Sequence, residues 1–270
     1  MGENKNLLRG DKILELESFI SRATQRFINC KHQNIQKSVY DTLQECGQII
    51  GVDSVFIALY NNDQDSWTAK YEWQNNKEYR HTDGSLLFSK KMNWLHKQIA
   101  DKNVILIEDC DQLPVEASRE KKFFKSNQLK TILLLPLFLQ SDCIGYFVLE
   151  AYSQHKTFST DEKLILKALA NTMALFLDRV RLETEGEYQL RFKQLMTDIS
   201  ARFVNVSGSR LHAAILESLK DIGIFFDADR AYLFNYSAHK DSYSLTHEWL
   251  RDGVSPTKHL LQDVTFEEYK

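Results

Sequence analysis

The sequence predicts an α+β protein in which one folding unit is used twice, the later copy only in part, with a single long helix between them. Three observations predict it. Helically spaced apolar residues give way to runs of branched and aromatic residues that read as strands, and then return. The chain matches itself without a gap at an offset of 176 residues. From about Thr160 an apolar stripe runs on with no proline or turn cluster to stop it.

In the self-match, Arg26-Phe27-Ile28-Asn29 falls on Arg202-Phe203-Val204-Asn205. Leu43, Gly47, Asp53 and Tyr60 fall on Leu219, Gly223, Asp229 and Tyr236, and Asp65-Ser66 falls on Asp241-Ser242. Glu72-Trp73 meets Glu248-Trp249, which brings the identities between positions 19 and 73 to eleven. One register held through a helical and then a strand-like pattern implies a duplicated unit.

Taken in order, Ile13, Leu16, Ile20, Ala23 and Phe27 mark one face of a first helix. A second is predicted from about Ile35 to Ile50, stopping at Gly51. Asp53 to Tyr60 switches to strand character, Asn61 to Asp65 is a polar turn, and Trp67 to Trp73 returns as a second strand. The pattern dissolves into polar loop between Gln74 and Gly84. Helical spacing resumes from Phe88 to Ile99, and Asn103 to Ile107 reads as a short strand. Glu116 to Asn127 is predicted to be a charged surface helix behind Pro114, since proline is tolerated near a helix start. The strongest strand signal is Thr131 to Leu139 paired with Cys143 to Ala151, turning near Ser141-Asp142. Pro136 removes one ladder hydrogen bond and predicts an irregular point there.

The last helix of the unit opens at Ser159 or Thr160, either of which suits an N-cap, and Asp161 and Glu162 favour the positive end of its dipole. Its stripe is Leu166, Leu169, Met173, Phe176 and Val180, continued by Thr184, Tyr188, Phe192, Leu195, Ile199 and Phe203. The spacing relaxes around Gly186, as a stutter does in a coiled coil. Gly186 weakens a helix by about 1 kcal/mol relative to alanine, and reads as a tolerated surface glycine, a short break or a compliant point in a signalling helix. One helix over 160–204 is expected to end a first domain (11–184) and begin a second (188–270). Lys270 aligns with Trp94, so counterparts of the later strands and the closing helix are missing. The expectation is a fragment of a longer protein.

The bulk numbers narrow the class. With 43% hydrophobic and 26% charged residues the chain has a globular composition, and a net charge of −3 indicates neither a nucleic-acid tail nor a membrane-binding basic face. The N-terminus lacks the apolar core of a secretory signal, and a cytoplasmic location is expected. The cysteines at 30, 46, 110 and 143 form no C-x-x-C pair and are expected to be reduced thiols.

Specific words now carry a resemblance. Asp53 to Tyr60 resembles the first strand of the GAF domain family. Leu135-Pro136-Leu137 followed by Ile144-Gly145-Tyr146-Phe147 resembles its hairpin, and Phe158-Ser159-Thr160-Asp161-Glu162 the start of its last helix. Asp111 to Ala117, and Thr246 to Trp249 with Gly253 to Pro256, are similar to a subset found in tandem in bacterial sensor proteins. The resemblance implies a central antiparallel sheet with terminal helices packed on one face and a ligand pocket on the other. By the same resemblance Tyr71, Trp73, Trp94, Asp109 and Phe124 lie on elements bordering that pocket. An aromatic wall with a carboxylate suits a small polar or cationic ligand. Core packing for the repeated Trp73 and Trp249, and a strand-end charge for Glu72 and Glu248, is the plainer alternative.

Chemistry has few anchors in these letters. There is no G-x-G-x-x-G, G-K-[ST], G-x-S-x-G or H-E-x-x-H, and Cys30-Lys-His32 alone does not make a metal site. No cofactor is expected. Ala151-Tyr152 stands where cyclic-nucleotide-binding members of the family carry Asn-Lys, and no cysteine is followed by the histidine common in bilin-binding members. The expected function is a non-catalytic sensory and dimerisation region of a bacterial signal-transduction protein. It would pair as a homodimer through its terminal helices, and through Leu169, Met173, Phe176, Val180, Gly186, Tyr188 and Leu195 drive an output module such as a histidine kinase or diguanylate cyclase. The alternatives are an enzyme like the free-methionine-sulfoxide reductases, using Cys110 and Cys143, and the input domain of a transcription activator.

Overall fold

The computed structural model describes residues 2–61, 66–76, 92–204 and 206–265. The predicted turn at 62–65, and the loop and helix start that fall within 77–91, lie outside these. The chain divides into two compact units, Met1–Arg181 and Leu182–Lys270. None of the described helices is long and apolar enough to cross a membrane.

The first unit opens with α1 (Gly2–Ile28) and α2 (Ile35–Ile50). Val39, Leu43, Cys46 and Ile50 repeat at helical spacing and are buried. The helix stops because Gly51 takes a left-handed conformation, φ 76°, and its N–H returns to the Gly47 carbonyl at 2.8 Å. Then follow β1 (Ser54–Asn61), β2 (Ser66–Gln74), α3 (Asn93–Ala100), β3 (Ile105–Ile107) and α4 (Ser118–Ser126). Next come β4 (Thr131–Leu139), β5 (Asp142–Ala151) and α5 (Thr160–Val204). The predicted strand at 103–107 is shorter than expected, and the helix behind Pro114 begins as a 3-10 turn, Val115–Ala117.

The five strands form one antiparallel sheet in the order β2-β1-β5-β4-β3. Alternate residues go to opposite faces. Val55, Ile57, Leu133, Leu135, Phe147 and Leu149 join a core with α1, α2 and α5, whose contributions include Phe19, Leu43, Leu166 and Met173. Phe56, Ala58, Ile132, Leu134, Tyr146 and Val148 join a second core with Leu95 and Ile99 of α3 and Phe124 of α4. Pro136 keeps its place in the ladder opposite Tyr146, and the irregularity it predicts lies one residue on, between Leu137 and Phe138.

The N-cap of α5 is Ser159, in a reciprocal capping box. Its hydroxyl accepts from the Glu162 N–H at 3.2 Å, and the Glu162 carboxylate accepts from the Ser159 N–H at 2.8 Å. Lys12 of α1 reaches the same carboxylate at 2.6 Å. At the other end of α1, Phe176 stacks on Phe27 with ring centroids 4.4 Å apart. There the Arg179 guanidinium donates to the carbonyls of Phe27 (2.9 Å) and Cys30 (3.3 Å). The Phe27 carbonyl lies in the last turn of α1, where a cation is favoured, and that of Cys30 lies just beyond it. Two fastenings thus hold α5 to α1 within this unit. Leu166, Leu169, Met173 and Phe176 are buried in the unit's own core. Residues 181–190, by contrast, are exposed on every side of the helix, and Gly186 has nothing within 4 Å of where a Cβ would stand.

The second unit adds α6 (Gly208–Phe225), β6 (Arg230–Ser237) and β7 (Ser242–Leu250) to the end of α5. Its local geometry repeats that of the first at the 176-residue offset. β1 and β2 pair from Ser54↔Gln74 with a register shift at Ile57/Ala58, and β6 and β7 pair from Arg230↔Leu250 with a shift at Leu233/Phe234. Arg26 bonds Thr42 and Glu45, while Arg202 bonds Ser218 and Asp221. A Cβ on Gly47 would stand 2.1 Å from the Trp73 ring, and one on Gly223 would stand 2.0 Å from the Trp249 ring. The repeated tryptophans therefore pack directly on the repeated glycines.

That contact has a measurable consequence. Gly47→Ala is expected to cost about 1–3 kcal/mol net, because the ring has no room to retreat. Gly186→Ala, with open space around it, is expected to gain up to about 1 kcal/mol from helix propensity. Urea unfolding of the two variants checks both signs.

Candidate ligand-binding face

The sheet face turned away from α1, α2 and α5 carries two buried carboxyl groups, Glu120 and Glu150. α3 and α4 are fixed over it by one carboxylate. Glu120 of α4, 1% exposed, accepts from the N–H groups of Trp94 (2.8 Å) and Leu95 (3.2 Å) at the first turn of α3. The Tyr146 hydroxyl donates to the Ile99 carbonyl at 3.0 Å and ties β5 to the other end of that helix. Trp67 meets the Tyr146 ring with centroids 5.8 Å apart.

Further along β5 the same face presents Glu150, and beyond the strand end Tyr152. Glu150 is fully buried; the Tyr152 hydroxyl donates to it at 2.8 Å, and Ser54 lies directly opposite it in the ladder. Burial pushes its carboxyl up to about 8 from an ordinary value of 4.5. The Ser54 hydroxyl opposes the rise and the negative charge of Glu72 adds to it. The segment after β5 is held by Asp53, whose carboxylate accepts from the N–H groups of Tyr152 (2.8 Å) and Ser153 (2.9 Å). This gives a protonated acid and a phenol at neutral pH, side by side in an apolar wall.

The five residues expected at the pocket do not converge. Phe124 is buried in this face's core and Trp94 packs against it. Tyr71 and Trp73 belong to the opposite, helix-side core. The reason is the register shift between Ile57 and Ala58, which leaves Lys70 as an extra residue in β2. Strict alternation puts Trp67 and Trp73 on one face; the bulge separates them. Asp109 is half-buried at a 3-10 turn, Cys110–Gln112, where it accepts from the Asp111 N–H and the Gln112 side chain, each at 2.8 Å. Sequence reasoning missed Trp67, Tyr146, Glu150 and Tyr152. The available signal was a glutamate inside the apolar run Phe147-Val148-Leu149-Glu150-Ala151.

Glu248, the repeat partner of Glu72, has a structural task. It accepts from the Thr257 N–H at 3.0 Å, the Thr257 hydroxyl at 2.8 Å and the Lys258 N–H at 3.2 Å, holding the loop after β7. Burial pushes the Cys110 thiol up to about 12 and raises Cys46 and Cys143 as well. These three sulfurs are thiols at neutral pH, the weakly nucleophilic form. Among the described residues no group of three or more His, Cys, Asp or Glu side chains is arranged to hold a metal ion.

Comparison with known proteins adds the following. The family model described as GAF domain matches residues 34–177, just over half of the chain. The phycoerythrobilin-bound GAF domain of a cyanobacterial phytochrome is similar in structure, with TM-score 0.52 and 18% identity, covering 63% of this chain and 98% of that one. The phycocyanobilin-bound GAF domain of a cyanobacterial phytochrome gives 0.51 and 19%, covering 62% and 96%. Bacteriophytochrome RpBphP3 from the photosynthetic bacterium R. palustris gives 0.63 at 10% identity over 92% of this chain, which spans 51% of that one. At these identities the likeness is one of fold. Comparison with curated proteins gives no match.

The buried acid sets a pH dependence. The folded carboxyl keeps its proton up to about pH 8 and the unfolded one releases it near 4.5, so between those values the folded state binds more protons. Glu150 is therefore without penalty below pH 4.5, and stability falls as pH rises from there to about 8. Glu150→Gln is expected to flatten that decline. Urea midpoints at about pH 5, 6.5 and 8 check it.

Proposed function

This chain belongs to the GAF domain family, and we propose that it is the sensory region of a signalling protein, binding a small molecule without transforming it. One observation carries the reading: β5 is shared by the candidate binding face and by the helix that leaves the domain. Tyr146, Val148 and Glu150 point to the first, and Phe147 and Leu149 join the core that includes Leu166, Leu169 and Met173 of α5. A ligand that repositions Glu150 moves its neighbours on the same strand, and with them the packing under α5. Only a ligand that binds two such packings unequally shifts their populations.

The chemistry of the face suits a small polar or cationic compound. Glu150 would accept from it or, by losing its proton, pair with it, while Tyr152 and Trp67 supply polar and aromatic contact. The elevated thiols speak for binding over redox chemistry at Cys110 and Cys143. We read the second unit as the first half of a second GAF domain, on the strength of its repeated register, its arginine clamp and its Trp-on-Gly contact. Pairing with a second copy through the terminal helices, and an output module driven by them, complete the proposal.

A thermal-shift screen of the full chain against a panel of metabolites tests it. At least one polar or cationic compound is expected to raise the midpoint in proportion to the logarithm of its concentration, and Glu150→Ala is expected to abolish the shift. A panel without a shift contradicts the ligand reading, and a shift indifferent to Glu150 moves the site elsewhere.

A further inference from the structure

The stripe that sequence periodicity assigns to helix pairing is, over its first half, already used: Leu169, Met173 and Phe176 lie in the first unit's own core. In the second unit Tyr188 and Phe192 of the same stripe pack against Phe225 of α6, with ring centroids 5.3 and 5.9 Å away. A different face of α5 is left open. Leu182, Gln189, Met196 and Phe203 follow one another at intervals of seven residues. The three apolar members are 55%, 47% and 36% exposed. A spacing of seven is what keeps one face of a helix against a like helix. Apolar surface here stands in water: residues 181–190 are all exposed, and Gly186 among them has nothing within 4 Å of where a Cβ would stand.

The charges beside this stripe decide what covers it. Glu185 and Lys193 are both exposed, each four residues from Gln189 and within about 40° of the stripe's centre on an α-helix. In a parallel pair every Glu185 faces its own copy, and so does every Lys193. In an antiparallel pair crossing at Gln189, each Glu185 faces the other chain's Lys193, Leu182 faces Met196, and the two Gln189 amides meet as donor and acceptor.

We infer that a second copy of this chain docks antiparallel on the Leu182–Gln189–Met196 face of α5, with the crossing at Gln189. The inference rests on the pairing proposed above and specifies its face and direction.

Sedimentation velocity of the full chain and its charge variants tests it. Dimerisation is expected, weakened about tenfold or more by Glu185→Lys, which sets lysine against lysine at two symmetric places, and restored by Glu185→Lys with Lys193→Glu. A parallel pair would be indifferent to the single change. Direction is read independently by pulsed electron resonance. A spin label at Ala201→Cys is placed in a Cys30→Ser, Cys143→Ser background, Cys46 and Cys110 being buried. Labels about 36 Å apart are expected, from twelve residues of rise on each side of the crossing. A dimer with labels about 10 Å apart, or one untouched by Glu185→Lys, overturns the inference and leaves pairing standing. A chain that stays monomeric overturns both.

Discussion

Strand β5 has no solvent on either side of its last six residues, and the rest of the first unit is arranged around that fact. Tyr146 to Ala151 are all buried. One set of side chains fills the core under the long helix and the alternate set fills the core under α3 and α4. A strand buried on both faces cannot shift by a residue without exchanging the two sets. It is locked in register by β1 on one side and β4 on the other. Asp53 pins the chain just past its end. In such a close-packed interior a displacement on one face is felt on the other, because there is no slack to absorb it.

Within that frame Glu150 is costly. A buried carboxyl in an apolar wall holds its proton, and the Tyr152 hydroxyl and its cross-strand neighbour Ser54 lessen the penalty without removing it. Groups of this kind are found at functional sites more often than by accident, as well as in structural networks. Here the group occupies the strand that both cores share, which is the route to α5 that the proposed coupling requires.

Much of this was legible in the letters, and the misses have physical causes. The α2 stop at Gly51, the β4–β5 hairpin and the 160–204 helix follow from glycine conformation, apolar runs and an unbroken stripe, all local signals. The Ser159 cap was one of two open choices, and the reciprocal bond with Glu162 decides it. The site was less legible. Periodicity cannot see the extra residue at Lys70, which turns Trp67 and Trp73 to opposite faces. Nor can it tell a stripe that packs on its own domain, as Leu169 and Met173 do, from one that awaits a partner, because both recur at the same spacing. Phe124 was expected to border a pocket and is instead fully buried in the core of the candidate face; Glu150 was passed over within a strand read only for its apolar character.

The coupling of the two sheet faces through β5 is open to direct measurement by amide hydrogen exchange, comparing the Glu150→Gln variant with the wild type at one pH above 8, where the native carboxyl is charged. Coupling through the shared strand predicts slower exchange in the variant both in β5 and in the 166–177 stretch of α5. A change confined to the α3 and α4 side, with α5 exchanging as in the wild type, would contradict it.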